Sequence, residues 1–151
     1  MLVYNIRKEQ FSKELSASGA ANRWNKSDEW VIYGAGSAAL AALELLVHRA
    51  GIREELNYKL LIIEIKATTP DIKTVDLDQL PIDWKSIYSY PILQNIGSEW
   101  YHKQKNLLMK IPSAVLPREF NYVINTKHPS FKSKVKIKQI EDFIWDSRLL
   151  F

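Results

Sequence analysis

The stretch WVIYGAGSAALAALELLVHRAG, residues 30–51, joins a short run of strand-forming residues to a long run of helix formers through two glycines. It predicts a strand over residues 30–33, a tight turn over residues 34–36 and a helix over residues 37–50. A strand and a helix joined by a tight turn are the unit from which α/β domains are built. The rest of the chain is interpreted around this corner.

The predicted helix has clear signals at both ends and one acid in its middle. Ser37 is a good N-cap, Gly51 suits the C′ position, and Arg49 suits the negative end of the helix dipole. Glu44 lies among residues that are otherwise suited to burial. Burying a carboxylate without partners costs several kcal/mol, so Glu44 either faces a cleft or pairs with His48, four positions on.

Composition limits the classes of protein to which this chain can belong. A length of 151 residues with 46% hydrophobic and 25% charged residues is typical of one globular domain, here residues 1–151. The absence of cysteine excludes disulfides, thiolate metal sites and a cysteine nucleophile. No apolar stretch approaches the ~18 residues of a membrane span, and the N-terminus has no signal-peptide pattern. We therefore expect a cytoplasmic protein without a membrane partner.

The net charge of +4 is mild, and much of the excess lies near the C-terminus. The segment KSKVKIKQI, residues 132–140, alternates lysine with Val135 and Ile137, which predicts a strand with one apolar face and one lysine face. Lysines on an exposed strand prevent edge-to-edge pairing. A nucleic-acid surface would add arginine and stacking aromatics, so we predict no direct nucleic-acid contact.

The remaining elements are predicted from periodicity and from turn-forming residues. Strands are expected over residues 2–6, 59–66, 73–77, 106–111, 134–140 and 143–145, helices over 8–15 and 91–104, and a loop over 112–117. No repeat or linker is evident. The sequence thus predicts a single α/β (α+β) domain with a mixed β-sheet core and flanking helices.

A dinucleotide-binding fingerprint is present but is a poor explanation of the corner. Gly34, Gly36 and Ala39 spell G-x-G-x-x-A between a strand and a helix, and Glu64 lies near the end of the next strand. The preceding strand is short and is not the first element, and a Rossmann unit plus a catalytic domain would not fit the chain. The glycines are better interpreted as a tight turn that leads into a helix.

Three polar residues are expected to meet around the strand–turn–helix corner. Arg23 follows a loop of small residues, a place where the backbone can approach a ligand closely. Tyr33 ends the predicted strand, and Glu44 lies on the predicted helix. Each alone is ordinary, since Arg23 is also typical of a surface and Tyr33 of a core rim. Together they place a cation, an aromatic ring and a carboxylate near one another.

At these residues the chain resembles the RES-domain family, the toxin half of RES–Xre type II toxin–antitoxin pairs. The resemblance rests on the stretches ASGAANRWN, VIYGAGSAALAALELLVH, IGSEW, LLMKIPSAVLPREFNYVINTKHPSF and DSRLL, which follow one another in the family's order. The polar signature of the family falls on Arg23, Tyr33, Glu44 and Ser113, with Asn121, Asn125 and His128 further on. We interpret the two asparagines as turn residues and the histidine as a loop or core residue.

The resemblance implies a fold, an activity and a partner. The fold would be ADP-ribosyltransferase-like, and the protein would consume NAD⁺ by hydrolysis or phosphorolysis, with NAD⁺ as substrate, no cofactor and no metal. The partner would be an Xre-like helix-turn-helix antitoxin that carries the DNA contact, and a homodimer within the complex is left open. Transfer of ADP-ribose to a protein, or a non-catalytic interaction protein of the same fold, are the alternatives.

The chemistry of NAD⁺ cleavage suits these residue types. Loss of nicotinamide passes through an oxocarbenium-like state, and the leaving group departs neutral, so one carboxylate, Glu44, is enough. Tyr33 would lie against the cationic ring, and Arg23 would bind the pyrophosphate. The helix N-terminus at Ser37 would add backbone donors. Ser113 is expected to hydrogen-bond the substrate rather than act as nucleophile, because no pair of histidine and acid at a recognisable spacing supports a serine nucleophile. The alternative is a hydroxyl group that only fixes its loop.

One position departs from the family pattern. Members usually carry arginine directly after the aromatic residue of the first strand, where this chain has Asn5. Arg7 lies two residues on and therefore on the same strand face. Arg7 is a candidate to replace the missing phosphate or ribose contact, and the alternative is an impaired site; both Asn5 and Arg7 are kept as candidate substrate-binding residues.

Overall fold

Seven strands form one mixed sheet in a computed structural model of the chain, which describes residues 1–48 and 57–150. The strands are β1 (Leu2–Lys8), β2 (Val31–Ala35), β3 (Tyr58–Ile65), β4 (Ile72–Thr74), β5 (Leu108–Pro112), β6 (Phe120–Asn125) and β7 (Val135–Phe143). The helices are α1 (Ala38–His48), α2 (Tyr90–Lys103) and the single turn α3 (Phe131–Lys134). The order across the sheet is β4-β5-β6-β2-β1-β3-β7.

The sheet is mixed because β4 and β5 are parallel, whereas every other neighbouring pair is antiparallel. This arrangement, with helices packed on the sheet, confirms the predicted fold class. Among the described residues, no helix has both the length and the apolar character that a membrane crossing requires.

Both long helices lie on the same face of the sheet. Side chains alternate between the faces of a strand, so Val31 and Val123 pack into the cluster around α2, whereas Ile32 and Ile124 pack into a cluster on the other face. Helix α1 buries Leu40 in a third cluster, over the ends of β1 and β3. The two helices therefore cover different strands and leave a gap between them.

The predicted helix over residues 8–15 is wrong, since only Glu9–Phe11 forms a 3-10 turn. The Arg7 guanidinium accounts for the difference, because its Nη1 donates to the carbonyls of Phe11, Glu14 and Ser16 at 3.3–3.5 Å. The carbonyl of Phe11, which an α-helix over residues 8–15 would pair with the backbone N–H of residue 15, is directed to this side chain instead.

The predicted turn over residues 34–36 is two residues shorter than expected at its start. Strand β2 continues through Gly34 and Ala35, and a Cβ at Gly34 would lie 2.7 Å from Cγ2 of Val3. Gly34 is therefore needed for close approach between strands rather than for a turn. Ser37 caps α1 as predicted, its Oγ accepting from the backbone N–H of Leu40 at 3.1 Å. The predicted helix end at residues 49–51 lies outside the described residues.

Strand β6 was not predicted from the sequence. It lies between β5 and β2 in the middle of the sheet. Asn121 and Asn125, interpreted as turn residues, are strand residues paired with Ala35 and Val31. Asparagine is depleted in strands, and this concealed the element.

The other predictions differ mainly at element ends. The two predicted C-terminal strands are one continuous edge strand, β7, whose Lys136 and Lys138 are exposed as expected. The strand predicted over residues 73–77 is limited to Ile72–Thr74. The predicted helix over residues 91–104 and the buried strand over 59–66 are each confirmed to within one residue, as α2 and β3.

Candidate active site

A cavity of about 220 Å³ opens on the helix-covered face of the sheet, between the regions covered by α1 and α2. Its floor is formed by residues of β1, β2 and β5, and α1 forms one wall. Its polar lining residues are Tyr4, Asn5, Asn22, Arg23, Tyr33, Glu44, His48 and Asn121. Four of the residues predicted from the sequence, Asn5, Arg23, Tyr33 and Glu44, are therefore brought to one cavity.

Glu44 has three polar side-chain partners at the wall of this cavity. Its Oε1 accepts from Ser113 Oγ at 2.7 Å and from Asn121 Nδ2 at 2.6 Å. Its Oε2 lies 3.2 Å from His48 Nε2, one helical turn away. The side chain is 16% exposed, so the carboxylate is shielded from solvent without being closed off. Glu44 therefore both faces a cleft and pairs with His48, two outcomes that the sequence left as alternatives.

The environment of Glu44 keeps it ionised. Burial by itself raises the pKa of this carboxyl group, but hydrogen bonds from His48, Ser113 and Asn121 outweigh burial and hold the pKa below its ordinary value. A carboxylate with this set of donors stays negatively charged at neutral pH. It is suited to stabilising positive charge that develops in the cavity.

Ser113 lies behind the carboxylate, away from the cavity. It is fully buried, and besides donating to Glu44 its Oγ accepts from the backbone N–H groups of Val115 and Leu116 at 3.1 and 3.0 Å. The hydroxyl thus orients Glu44 and fixes the loop after β5. Ser113 is not part of the cavity lining.

Tyr33 presents its ring to the cavity and anchors its hydroxyl in the preceding loop. The hydroxyl donates to Asn25 Oδ1 at 2.6 Å, and the Asn25 amide donates to the carbonyls of Ala20 and Lys26 at 2.9 and 3.0 Å. Burial raises the pKa of Tyr33 well above that of a free phenol. Its hydroxyl is therefore protonated at neutral pH and acts as a structural donor.

Arg23 is held at the opposite wall by main-chain carbonyls and an aromatic ring. Its Nη1 donates to the carbonyls of Trp84 and Lys85 at 3.1 and 2.9 Å. Its Cζ lies 4.8 Å from the ring centroid of Tyr90, a cation–π geometry. A guanidinium fixed in this way is a preoriented cation at the cavity wall.

The backbone beside Arg23 is pressed against α2. A Cβ added at Gly97 would lie 1.7 Å from the carbonyl oxygen of Trp24, so only glycine permits this contact. Gln94, one turn earlier on the same helix, donates from Nε2 to the carbonyl of Asn22 at 2.8 Å. Helix α2 therefore determines where Arg23 lies.

Asn5 and Arg7, which the sequence assigns to a substrate contact, make hydrogen bonds within the protein. By strand alternation their side chains share the face of Val3, opposite to the face that carries Tyr4 and the cavity. Asn5 Nδ2 donates to the carbonyl of Tyr33 at 2.8 Å, and Arg7 Nε donates to Asn5 Oδ1 at 2.7 Å. Asn5 borders the cavity, but both side chains are engaged within the protein.

Ser37 and His128 both make hydrogen bonds within the protein. Ser37 caps α1 and lies 3.4 Å from Glu119 Oε2, outside the cavity lining. His128 Nδ1 accepts from the backbone N–H of Ser130 at 3.1 Å, as expected of a loop histidine. Within residues 1–48 and 57–150, no group of three or more carboxylate or histidine side chains could hold a metal ion.

Sequence reasoning missed Asn121 as a site residue and gave His48 only a structural role. Asn121 is on the same strand face as Val123, which packs under α2, so the period of two in FNYVIN would have placed both on the cavity side. That signal becomes usable only when residues 120–125 are recognised as a strand.

Comparison with known proteins gives consistent results. Residues 2–146 match the family model described as the RES domain. The chain is 31% identical to "Toxin Res" of Photorhabdus laumondii, with 99% of this chain and 97% of that protein covered. It is 30% identical to the "Prs ADP-ribosylating toxin" of a Sphingobium species, with 91% and 87% covered. It is 35% identical to "Toxin Res" of Pseudomonas putida, with 90% and 92% covered.

A solved structure agrees at the level of the fold. The crystal structure of the M. tuberculosis MbcT–MbcA toxin–antitoxin complex contains a chain that superposes with a TM-score of 0.76. The alignment covers 95% of this chain and 84% of that chain at 18% sequence identity. The likeness therefore supports the mixed-sheet architecture.

Proposed function

The chain belongs to the RES-domain family of toxins, and we propose that it acts by cleaving the nicotinamide–ribose bond of NAD⁺. The observation that carries the proposal is the ionised Glu44, held by Ser113, Asn121 and His48 at the wall of a cavity that also contains Tyr33 and Arg23. Consumption of NAD⁺ would arrest growth, which is the action expected of a toxin.

Glu44 would stabilise the transition state electrostatically. As the bond between ribose and nicotinamide breaks, its electron pair moves to the ring nitrogen and positive charge develops on the ribose. Nicotinamide leaves as a neutral molecule and needs no general acid, so a second carboxyl group is unnecessary. A preoriented carboxylate interacts more strongly with the cationic transition state than with the substrate, which is the condition for rate enhancement.

Tyr33 and Arg23 would position the substrate. The Tyr33 ring is a suitable surface for the cationic nicotinamide, a contact worth ~0.5–2 kcal/mol. Arg23 is the cation that the described lining offers to a pyrophosphate, and its contacts with Trp84 and Lys85 fix its direction before binding. Preorganisation of this kind lowers the entropic cost of binding.

The acceptor of ADP-ribose is a separate question. Hydrolysis or phosphorolysis is the first candidate, because Glu44 provides for bond cleavage without a dedicated protein acceptor. Transfer to a protein side chain is the second candidate. The 30% identity with an ADP-ribosylating toxin supports this alternative.

A partner protein would control the activity. An open NAD⁺-cleaving site would harm the cell that contains it, so we infer an Xre-like helix-turn-helix antitoxin that covers the cavity and carries the DNA contact. The structural likeness to a chain from a toxin–antitoxin complex supports a partner of this kind. Because NAD⁺ and such a partner are both cytoplasmic, we place the protein in the cytoplasm.

Release of nicotinamide from NAD⁺ by purified protein tests the proposal directly. Wild type should release nicotinamide, and Glu44→Gln should not. The second product identifies the acceptor, because free ADP-ribose indicates water, an additional phosphate indicates phosphorolysis, and ADP-ribose on protein in a mass spectrum indicates transfer. Wild-type protein that leaves NAD⁺ intact under all three conditions contradicts the proposal.

A further inference from the structure

We propose that His48 is the acceptor-side base, which removes the proton from the hydroxyl group that attacks the ribose carbon. The inference rests on the proposed function and extends it, since it states what class of acceptor the site is built for. That class is a molecule with an O–H bond, either water or an alcohol.

Glu44 is poorly suited to this second task. Its Oε1 is occupied by two short hydrogen bonds from Ser113 and Asn121, which lie behind it. Its function in bond cleavage requires it to remain negatively charged until the nicotinamide has left. The same donors lower the pKa of Glu44 and so make it a weak base.

The other titratable side chains of the described lining are also unsuitable. The Tyr33 hydroxyl donates its proton to Asn25. Tyr4 is a phenol, a residue type that acts as a general base less often than histidine. Arg23 is a guanidinium, which has only hydrogen-bond donors and no acceptor. Among the described lining residues, this leaves the imidazole of His48, the side-chain type that acts most often as a general base.

The geometry of His48 fits a base that a carboxylate orients. Its Nε2 lies 3.2 Å from Glu44 Oε2, and its side chain is 47% exposed while still lining the cavity. When Nε2 donates its hydrogen to the carboxylate, Nδ1 is left as an acceptor. In serine-protease triads a carboxylate likewise fixes one tautomer of a histidine, there through Nδ1 with Nε2 as the base, and a hydroxyl group loses its proton.

The proton and electron balance of the step is simple. The acceptor oxygen forms a bond to the ribose carbon, the carbon–nitrogen bond breaks, and its electron pair neutralises the nicotinamide nitrogen. The proton of the acceptor passes to Nδ1 of His48 and then to solvent. An acceptor without a proton to lose, such as azide, would not require His48.

The test compares two variants with two nucleophiles. His48→Gln retains a donor for Glu44 but has no base, so nicotinamide release in water should fall by ~10²–10⁴-fold, the range typical of general-base catalysis. The KM for NAD⁺ should change less than twofold. Azide should restore release in His48→Gln and should not restore it in Glu44→Gln. Imidazole should rescue His48→Ala, which removes the side chain altogether.

His102→Gln is the matched control. His102 also lies in the last turn of a helix and pairs through Nε2 with a carboxylate, Glu29, at 3.3 Å, but it is not part of the cavity lining. The turnover of the His102→Gln variant should equal that of wild type. Wild-type turnover of His48→Gln, or a loss of activity that neither azide nor imidazole restores, overturns the assignment of His48 while leaving that of Glu44 intact. Absence of nicotinamide release from wild type overturns the proposed function and this inference with it.

Discussion

Two carboxylates in this molecule, Glu44 and Glu29, have the same kinds of partner and different surroundings. Each accepts from a serine hydroxyl, from an N–H group, and lies near the Nε2 of a histidine in the last turn of a helix. For Glu44 these partners are Ser113, Asn121 and His48, and for Glu29 they are Ser98, the backbone N–H of Lys26 and His102.

The two carboxylates differ in their exposure to solvent and in whether they face a cavity. Glu29 is 4% exposed and ties the loop at Lys26 to α2. Glu44 is 16% exposed and faces a cavity with Tyr33 and Arg23. A carboxylate–serine–histidine cluster is therefore not a site in itself. The gap between two helices on one sheet face makes one of the two clusters chemically useful.

The comparison is tested most strongly by the same substitution at both positions. Glu44→Gln removes the charge and little volume, so nicotinamide release should fall by about 10²-fold or more, the equivalent of ~3 kcal/mol of transition-state stabilisation. Glu29→Gln should instead lower the free energy of unfolding by about 1–3 kcal/mol, with near wild-type turnover of the folded protein. Urea unfolding and an activity assay measure both effects, and turnover losses of similar size in the two variants would refute the distinction.

The second prediction concerns helix α2, which contacts the backbone beside Arg23 through Gly97. Gly97→Ala puts a methyl group 1.7 Å from the Trp24 carbonyl oxygen, so the loop must move. Overpacking of this kind costs about 1–3 kcal/mol or more. Because Arg23 is next in the chain, the KM for NAD⁺ should rise several-fold.

Glu99→Ala, an exposed change on the same helix, should leave stability and KM nearly unchanged. A destabilised Gly97→Ala variant with a wild-type KM would show that the position of Arg23 does not depend on this contact.

The third prediction separates the two serines. Ser113→Ala removes a hydrogen bond to the Oε1 of Glu44, and kcat should fall about tenfold with a smaller change in KM, because hydrogen bonds to charged groups are worth ~1.5–3 kcal/mol. Ser98→Ala removes the corresponding bond to Glu29 and should affect the melting temperature without lowering kcat. Equal kcat values for the two variants would indicate that orientation of Glu44 does not depend on Ser113.

The smallest expected effect is on the pH dependence of stability. The pKa of Glu44 is lower in the folded protein than its ordinary value near 4.5, so its ionised form stabilises the fold. That contribution is fully present above the ordinary pKa and is lost as pH falls through the folded value. The difference in unfolding free energy between wild type and Glu44→Gln should therefore change in favour of the variant below about pH 4.5. A difference that is constant from pH 7 to pH 3 would contradict the lowered pKa.

What the sequence determined by itself is local. The serine cap of α1, the buried strand β3 and the alternating edge strand β7 each depend on periodicity or on one residue's preference for a backbone conformation. The corner that brings Tyr33 and Glu44 together is also local, since eleven positions separate them across one strand, one turn and one helix. These features could be predicted because the residues that cause them are neighbours in the chain.

The tertiary structure alone decided which side chains from remote parts of the chain meet Glu44. Asn121 reaches it from 77 positions away because β6 lies beside β2, and no local pattern carries the order of strands in a sheet. Arg7 lies on the strand face opposite to the cavity and is not part of its lining, although its charge suits a phosphate, and Asn5 borders the cavity with its amide engaged within the protein. The physical reason is that strand order, register and face set the distance between remote side chains, whereas sequence periodicity sets only the face relative to near neighbours.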